Sequence, residues 1–172
     1  MWTNLSAIIV PEEEQESSQH EQTAAAGSEA VLAPRRSVED EARALVLGEA
    51  ANHAATLLAS GRSRDDASKL VCERATAAYK EATGEEIPAD SALEKEIAAA
   101  FAGGAEAGTK LAEGASKEEA TSTAVFAAKR LGAHLGVSAT SQAAAVEAAK
   151  ASAVFAAAEK ASHQQFAFEE EI

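Results

Sequence analysis

From Ser37 onward the sequence repeats one pattern: a serine, a stretch of roughly twenty residues with apolar side chains at helical spacing, and then a glycine. Serine is a preferred residue at helix N-termini, and glycine at helix C-termini. We therefore predict five helices, the fifth running from Ser138 to about residue 162. The serines that open the first four are Ser37, Ser63, Ser91 and Ser116, and the glycines that close them are Gly61, Gly84, Gly114 and Gly136.

Composition supports helix over sheet. Alanine, the best helix former, makes up about a quarter of the chain, whereas there are only three prolines and five phenylalanines. Each buried methylene group contributes only ~0.8 kcal/mol, so an alanine-rich interior is thin. Close approach of the helices or burial of surface in an oligomer would compensate for it.

An internal repeat defines the unit of this fold. Residues 61–68 match residues 114–121 at an offset of 53, and the match extends backwards through Thr56/Thr109, Leu58/Leu111 and Ala59/Ala112. The unit is a helical hairpin with a tight turn, used twice and followed by a further helix. We predict an all-α, up-and-down antiparallel bundle of about five helices. A short solenoid is the alternative, but solenoids generally need three or more units.

The chain divides into three predicted regions. Residues 1–36 are expected to be a mostly disordered acidic arm that begins with a short apolar run. Residues 37–162 form the alanine-rich bundle. Residues 163–172 are expected to be a frayed acidic tail.

Charge and cysteine content exclude several classes of function. The formal net charge is -13, from 15 basic and 28 acidic residues, so nucleic acid is a poor partner and neutral or basic partners are favoured. The single cysteine, Cys72, gives no sign of an oxidising compartment. We find no convincing signal peptide and no stretch apolar enough to span a bilayer, so we expect an intracellular protein.

Apolar side chains near the ends of the chain are candidates for partner binding. The N-terminal run could dock back on the bundle or onto a partner, and the aromatic residues before the acidic C-terminus could form a short docking motif. The fifth helix carries only Glu147 and Lys150 as charges between residues 139 and 158. It is therefore either central in the bundle or presents a small-residue face to another subunit, a partner helix or a lipid surface. The candidates are Trp2, Leu5, Ile8, Ile9, Val10, Phe155, Phe166 and Phe168.

Two glycines mark a predicted helix crossing. Gly104 and Gly108 lie four residues apart on the apolar stripe of the third helix, where no side chain holds a neighbouring helix away. Gly103 could instead bend this helix.

No pattern of catalytic, metal-binding or cofactor-binding residues stands out. The Glu49/His53 and Glu159/His163 pairs have i,i+4 spacing, whereas di-iron bundles use Glu-x-x-His. Cys72 is interpreted as a small packed residue, and each turn glycine is accounted for by a helix end. We therefore predict no metal, no cofactor and no enzymatic activity.

The function expected from these features is binding: a structural or adaptor subunit that acts through helix-mediated contacts, with a protein partner or in a homo-oligomer. A reversible coat on lipid or polymer surfaces is one alternative, disfavoured because the chain is acidic and has few bulky apolar anchors. An enzyme with an unrecognised site between helices is the other.

Overall fold

The computed structural model describes residues 37–169, with side chains through residue 163. It contains five helices that pack against each other, and no strand occurs within the described residues, so the predicted all-α bundle is confirmed. The predicted arm at 1–36 lies outside the described residues. The helices are α1 (Val38–Ala59), α2 (Arg64–Thr83), α3 (Ala92–Ala112), α4 (Lys117–His134) and α5 (Ala139–Glu169).

Serine side chains start the helices as the sequence indicates. The Oγ atoms of Ser37, Ser63, Ser91 and Ser116 each accept a hydrogen bond from the backbone N–H three residues later, at 3.1 to 3.2 Å. At the other end of α2, Gly84 has φ of 78°, a left-handed conformation that residues with a side chain rarely adopt. These caps fix where the chain turns.

Helix α5 continues beyond the position where the sequence pattern places the beginning of a tail. Its backbone is helical to Glu169, seven residues past Ser162. Residues 163–169 contain neither glycine nor proline, so nothing in the sequence stops the helix there.

Three of the helices are parallel. Arg43, near the start of α1, bonds to Glu96 and Ser141, near the starts of α3 and α5. Thr56, near the end of α1, donates to Glu159 of α5 at 2.9 Å. Helices α1, α3 and α5 therefore run in the same direction, and the tight turns reverse α2 and α4 between them.

Consecutive helices are not always neighbours. Helix α3 packs against α1, α4 and α5, whereas α2 packs mainly against α1 and barely touches α3. The longer connection between α2 and α3, residues 84–91, lets the chain cross to the other side of α1. The up-and-down alternation of direction is kept, but α3 takes the place beside α1.

Helices α1 and α3 present the same face to each other. Arg43 pairs with Glu96, and a Cβ added at Gly104 would collide with the backbone of Ala51. In each pair the two positions are 53 residues apart, which is the offset of the internal repeat, so each residue of α1 meets its own counterpart in α3. Two parallel helices that meet in this way are related by a two-fold axis. A translation from one helix to the other would instead bring different faces together. Helices α2 and α4 therefore lie on opposite sides of the α1–α3 pair.

The interior consists mostly of alanine. Leu47, Val46 and Val71 are the largest apolar side chains that are fully buried, and most other core positions hold a single methyl group. Gly103, Gly104 and Gly108 are buried in α3, where the absence of a side chain allows the neighbouring helices to approach closely. Close approach of the backbones thus replaces side-chain volume in the core.

Candidate functional site

One polar network joins the beginnings of the three parallel helices. Arg43 donates from Nε and Nη2 to the two carboxylate oxygens of Glu96 at 2.6 and 2.7 Å, and from Nη2 to Ser141 Oγ at 2.7 Å. The Glu96 side chain is only 1% exposed. Because the guanidinium of Arg43 binds both of its oxygens, the Glu96 carboxylate is held in one position and connects the starts of α1 and α3.

The glutamates of the two Glu/His pairs noted in the sequence form hydrogen bonds with residues of other helices. Glu49 accepts a hydrogen bond from Arg74 Nε at 2.6 Å, and Glu159 accepts from Thr56. Among the side chains that the structure describes, no three potential ligands from His, Cys, Asp and Glu come close enough to hold a metal ion. These carboxylates connect helices to one another.

The pKa of Lys110 is raised. Its Nζ donates to Glu113 Oε2 at 2.7 Å, and the negative charge of that carboxylate adds a favourable Coulomb interaction. Lys110 and Glu113 lie at the end of α3, so the ion pair also places a cation where helix carbonyls are unpaired. Both side chains of this ion pair are partly or largely exposed at the surface.

A groove lies between α2 and α3. Its volume is about 270 Å³, and its walls are mostly apolar. The α2 wall includes Val71 and Cys72, the α3 wall includes Ile97 and Phe101, and Ile87 of the connection also lines the groove. It exists because α2 packs mainly on α1 and makes few contacts with α3. Its mostly apolar lining suits one face of a helix.

Bulky apolar side chains also lie on the outer surface of α4 and α5. Phe126 is 65% exposed, Phe155 49% and Val154 47%. Val154 and Val125 line a shallow depression between α4 and α5, with Lys117 and Lys150 beside them. Val125 is half-buried against α5, whereas Phe126, Val154 and Phe155 remain exposed.

The predicted site residues fall into four groups. Phe155 is exposed on α5, while Gly104 and Gly108 are buried against the backbones of Ala51 and Ala55. The α5 backbone runs through residues 166 and 168. Trp2, Leu5, Ile8, Ile9 and Val10 lie outside the described residues.

Sequence reasoning missed the groove and the exposed positions of Phe126 and Val154. Helical periodicity alone places Ile97 and Phe101 on the apolar stripe of α3, where they are expected to be core. The internal repeat contained a signal for the groove. Ser68 and Cys72 on α2 correspond to Thr121 and Val125 on α4, so α2 carries a face equivalent to the one that α4 packs beside α5.

Comparisons with known proteins give no further guide to function. No protein-family model matches the chain, and neither a curated protein nor a solved structure is similar enough to count as a match. Among the helices described, none is both long and apolar enough to cross a membrane.

Proposed function

We propose that this chain is a non-enzymatic structural or adaptor subunit that acts by binding protein partners through its helix surfaces. The observation that carries the proposal is the distribution of side-chain size. The interior holds alanine, whereas the phenylalanines with described side chains, Phe101, Phe126 and Phe155, all remain partly or largely exposed. This is the reverse of the usual arrangement of a monomeric core.

The energetics favour a partner. Burying an apolar side chain as large as these contributes about 1.5 to 3 kcal/mol, and this free energy is unused when Phe126 and Phe155 face water. Large exposed apolar side chains are enriched at protein interfaces, where aromatic residues are frequent anchors. Because these residues lie on different helices, more than one neighbour can be bound, as an adaptor requires.

Partner binding can be tested with two surface variants, Phe126→Ser and Phe155→Ser, made in the full chain. Both side chains are exposed, so we expect each variant to keep the thermal unfolding midpoint of the unmodified chain. Size-exclusion chromatography with light scattering, on purified protein and on complexes isolated from the native source, measures association. We expect at least one variant to lose it.

A control is Leu70→Ser, which changes another exposed apolar side chain, on α2. We expect it to keep the association. If the unmodified chain is a monomer at all concentrations and isolates without a stoichiometric partner, the proposal is wrong. Flotation with lipid vesicles at low salt would instead support the surface-coat alternative.

A further inference from the structure

The groove between α2 and α3 corresponds to the place that α5 fills on the opposite side of the molecule. Helix α5 packs on α1, α3 and α4, and it runs parallel to α1. The two-fold relation between the α1–α2 and α3–α4 hairpins exchanges α1 with α3 and α2 with α4. A helix equivalent to α5 would therefore pack on α3, α1 and α2, parallel to α3.

The wall formed by α2 shows this correspondence residue by residue. Thr121 and Val125 of α4 are half-buried beside α5. The residues 53 positions earlier, Ser68 and Cys72 of α2, are exposed and line the groove. The same kind of face is thus covered by a helix on one side of the molecule and uncovered on the other.

The wall formed by α3 differs from its counterpart in size. The α1 residues that correspond to Ile97 and Phe101 are Ala44 and Gly48, and Ala44 lines a depression shared with the start of α5. Both Ile97 and Phe101 are only partly buried. Because large side chains pack best against small ones, a helix in the groove must present small residues to these two.

We propose that the groove binds an amphipathic helix of a partner protein, lying parallel to α3, with a stripe of small residues towards the groove and basic residues on its outer face. This inference specifies the partner for one surface and so rests on the proposed binding function. Recognition of one face of a helix in an apolar groove is a recurring mode of protein binding.

Charge selects the partner over a second copy of this chain. Glu94 is the only charged residue among those that line the groove, so the buried stripe must be uncharged. The chain has a formal net charge of -13, so a second copy is repelled and a basic helix is attracted. Glu94 also lies at the start of α3, where the positive N-terminal end of a parallel helix would be placed.

The test uses Cys72 as a reporter, because it is the single cysteine of the chain, is exposed and lines the groove. The probe is a synthetic peptide of residues 139–163 of α5, whose buried face already consists mostly of small residues. It carries Phe155→Ala, which removes a bulky exposed side chain, and Glu147→Lys and Val154→Lys, which make its outer face basic. We expect a saturating concentration of this peptide to slow the reaction of the Cys72 thiol with a disulfide reagent by about tenfold. The protection should weaken as salt is raised.

One peptide variant and two variants of the full chain show whether the peptide binds in the groove. The same peptide with Ala149→Glu has a charge in its stripe and should not protect Cys72. Ser68→Arg in the full chain blocks the groove and should weaken binding by about tenfold or more, measured by fluorescence anisotropy of the labelled peptide. Ala77→Arg lies on the opposite flank of α2 and should leave the affinity unchanged.

The inference is overturned if the peptide fails to protect Cys72, or if the Ala149→Glu peptide protects it equally. Concentration-dependent protection of Cys72 without any peptide would show that a second copy occupies the groove, which also contradicts it. The wider proposal is judged separately, by the association of the Phe126 and Phe155 variants, so the two can fail independently.

Discussion

At the scale of single residues, the buried carboxylate of Glu96 depends on Arg43. Arg43→Ala leaves the Glu96 charge buried without its bidentate partner. Removing one member of a fully buried ion pair costs roughly 3 to 5 kcal/mol, and because the Arg43 side chain is 35% exposed we expect about 2 to 3 kcal/mol here. Urea unfolding followed by circular dichroism measures the loss.

Arg64→Ala serves as the control, since Arg64 pairs with Glu106 at the surface and exposed pairs contribute less than about 1 kcal/mol. Equal losses in the free energy of unfolding for the two variants would show that the Arg43–Glu96 pair stabilises the fold no more than a surface ion pair does.

Asn52 is a weak point of α1. Its Oδ1 atom is buried and lacks a hydrogen-bond partner among the described residues. Asn52→Ala removes this atom and improves helix propensity, so we expect the free energy of unfolding to rise by about 1 kcal/mol. A fall in the urea midpoint of this variant would contradict the interpretation.

At the scale of the helices, glycines have opposite roles according to what lies beside them. A Cβ at Gly104 would also lie 2.9 Å from Ala51 Cα of α1, whereas a Cβ at Gly48 would have no atom within 4 Å. We expect Gly104→Ala to lower the free energy of unfolding by about 1 to 3 kcal/mol through overpacking, and Gly48→Ala to raise it by about 0.5 to 1 kcal/mol through helix propensity.

Thermal unfolding of the two variants beside the unmodified chain measures both effects. If Gly104→Ala proved as stable as Gly48→Ala, α1 and α3 could not be in contact at that position.

The boundaries of the helices could be predicted because each depends on local chemistry. A serine that caps and a glycine with positive φ act within one turn, and both were visible in the sequence. Burial within a helix was harder to predict. Helical spacing of apolar residues from Ala42 to Leu58 places Leu45 on the buried face of α1, but Leu45 is 50% exposed, while Leu47 and Ala51 are buried. Helix α1 contacts three others, so its buried face is too wide for one stripe to define.

The candidate site could be predicted only in part. Phe155 was among the predicted partner-binding residues, and its side chain is exposed on α5. The groove could not be predicted, because it results from the separation of α2 and α3. That separation depends on which helices pack against α1. No local signal in residues 64–101 specifies that choice.

At the scale of the whole molecule, the helices are unequally held. Helix α2 buries only Ala67, Val71 and Ala75 and packs mainly against α1, whereas α3 buries ten residues. Local unfolding follows such differences in packing. We expect the amide hydrogens in the middle of α2 to exchange at least about tenfold faster than those in the middle of α3.

Hydrogen exchange with mass spectrometry measures this directly, and the groove-binding peptide should slow exchange in α2 more than in α4. Uniform exchange across all five helices would mean that the bundle opens only as a single unit.

The alanine interior also limits how this protein can change over evolution. A position that holds one methyl group between touching backbones accepts almost nothing larger, and only glycine is smaller. Random mutation at such sites is therefore nearly always harmful, while the outer faces are free to vary. We expect descendants of this chain to diverge in what they bind, while the inward-facing residues of their helices stay the same.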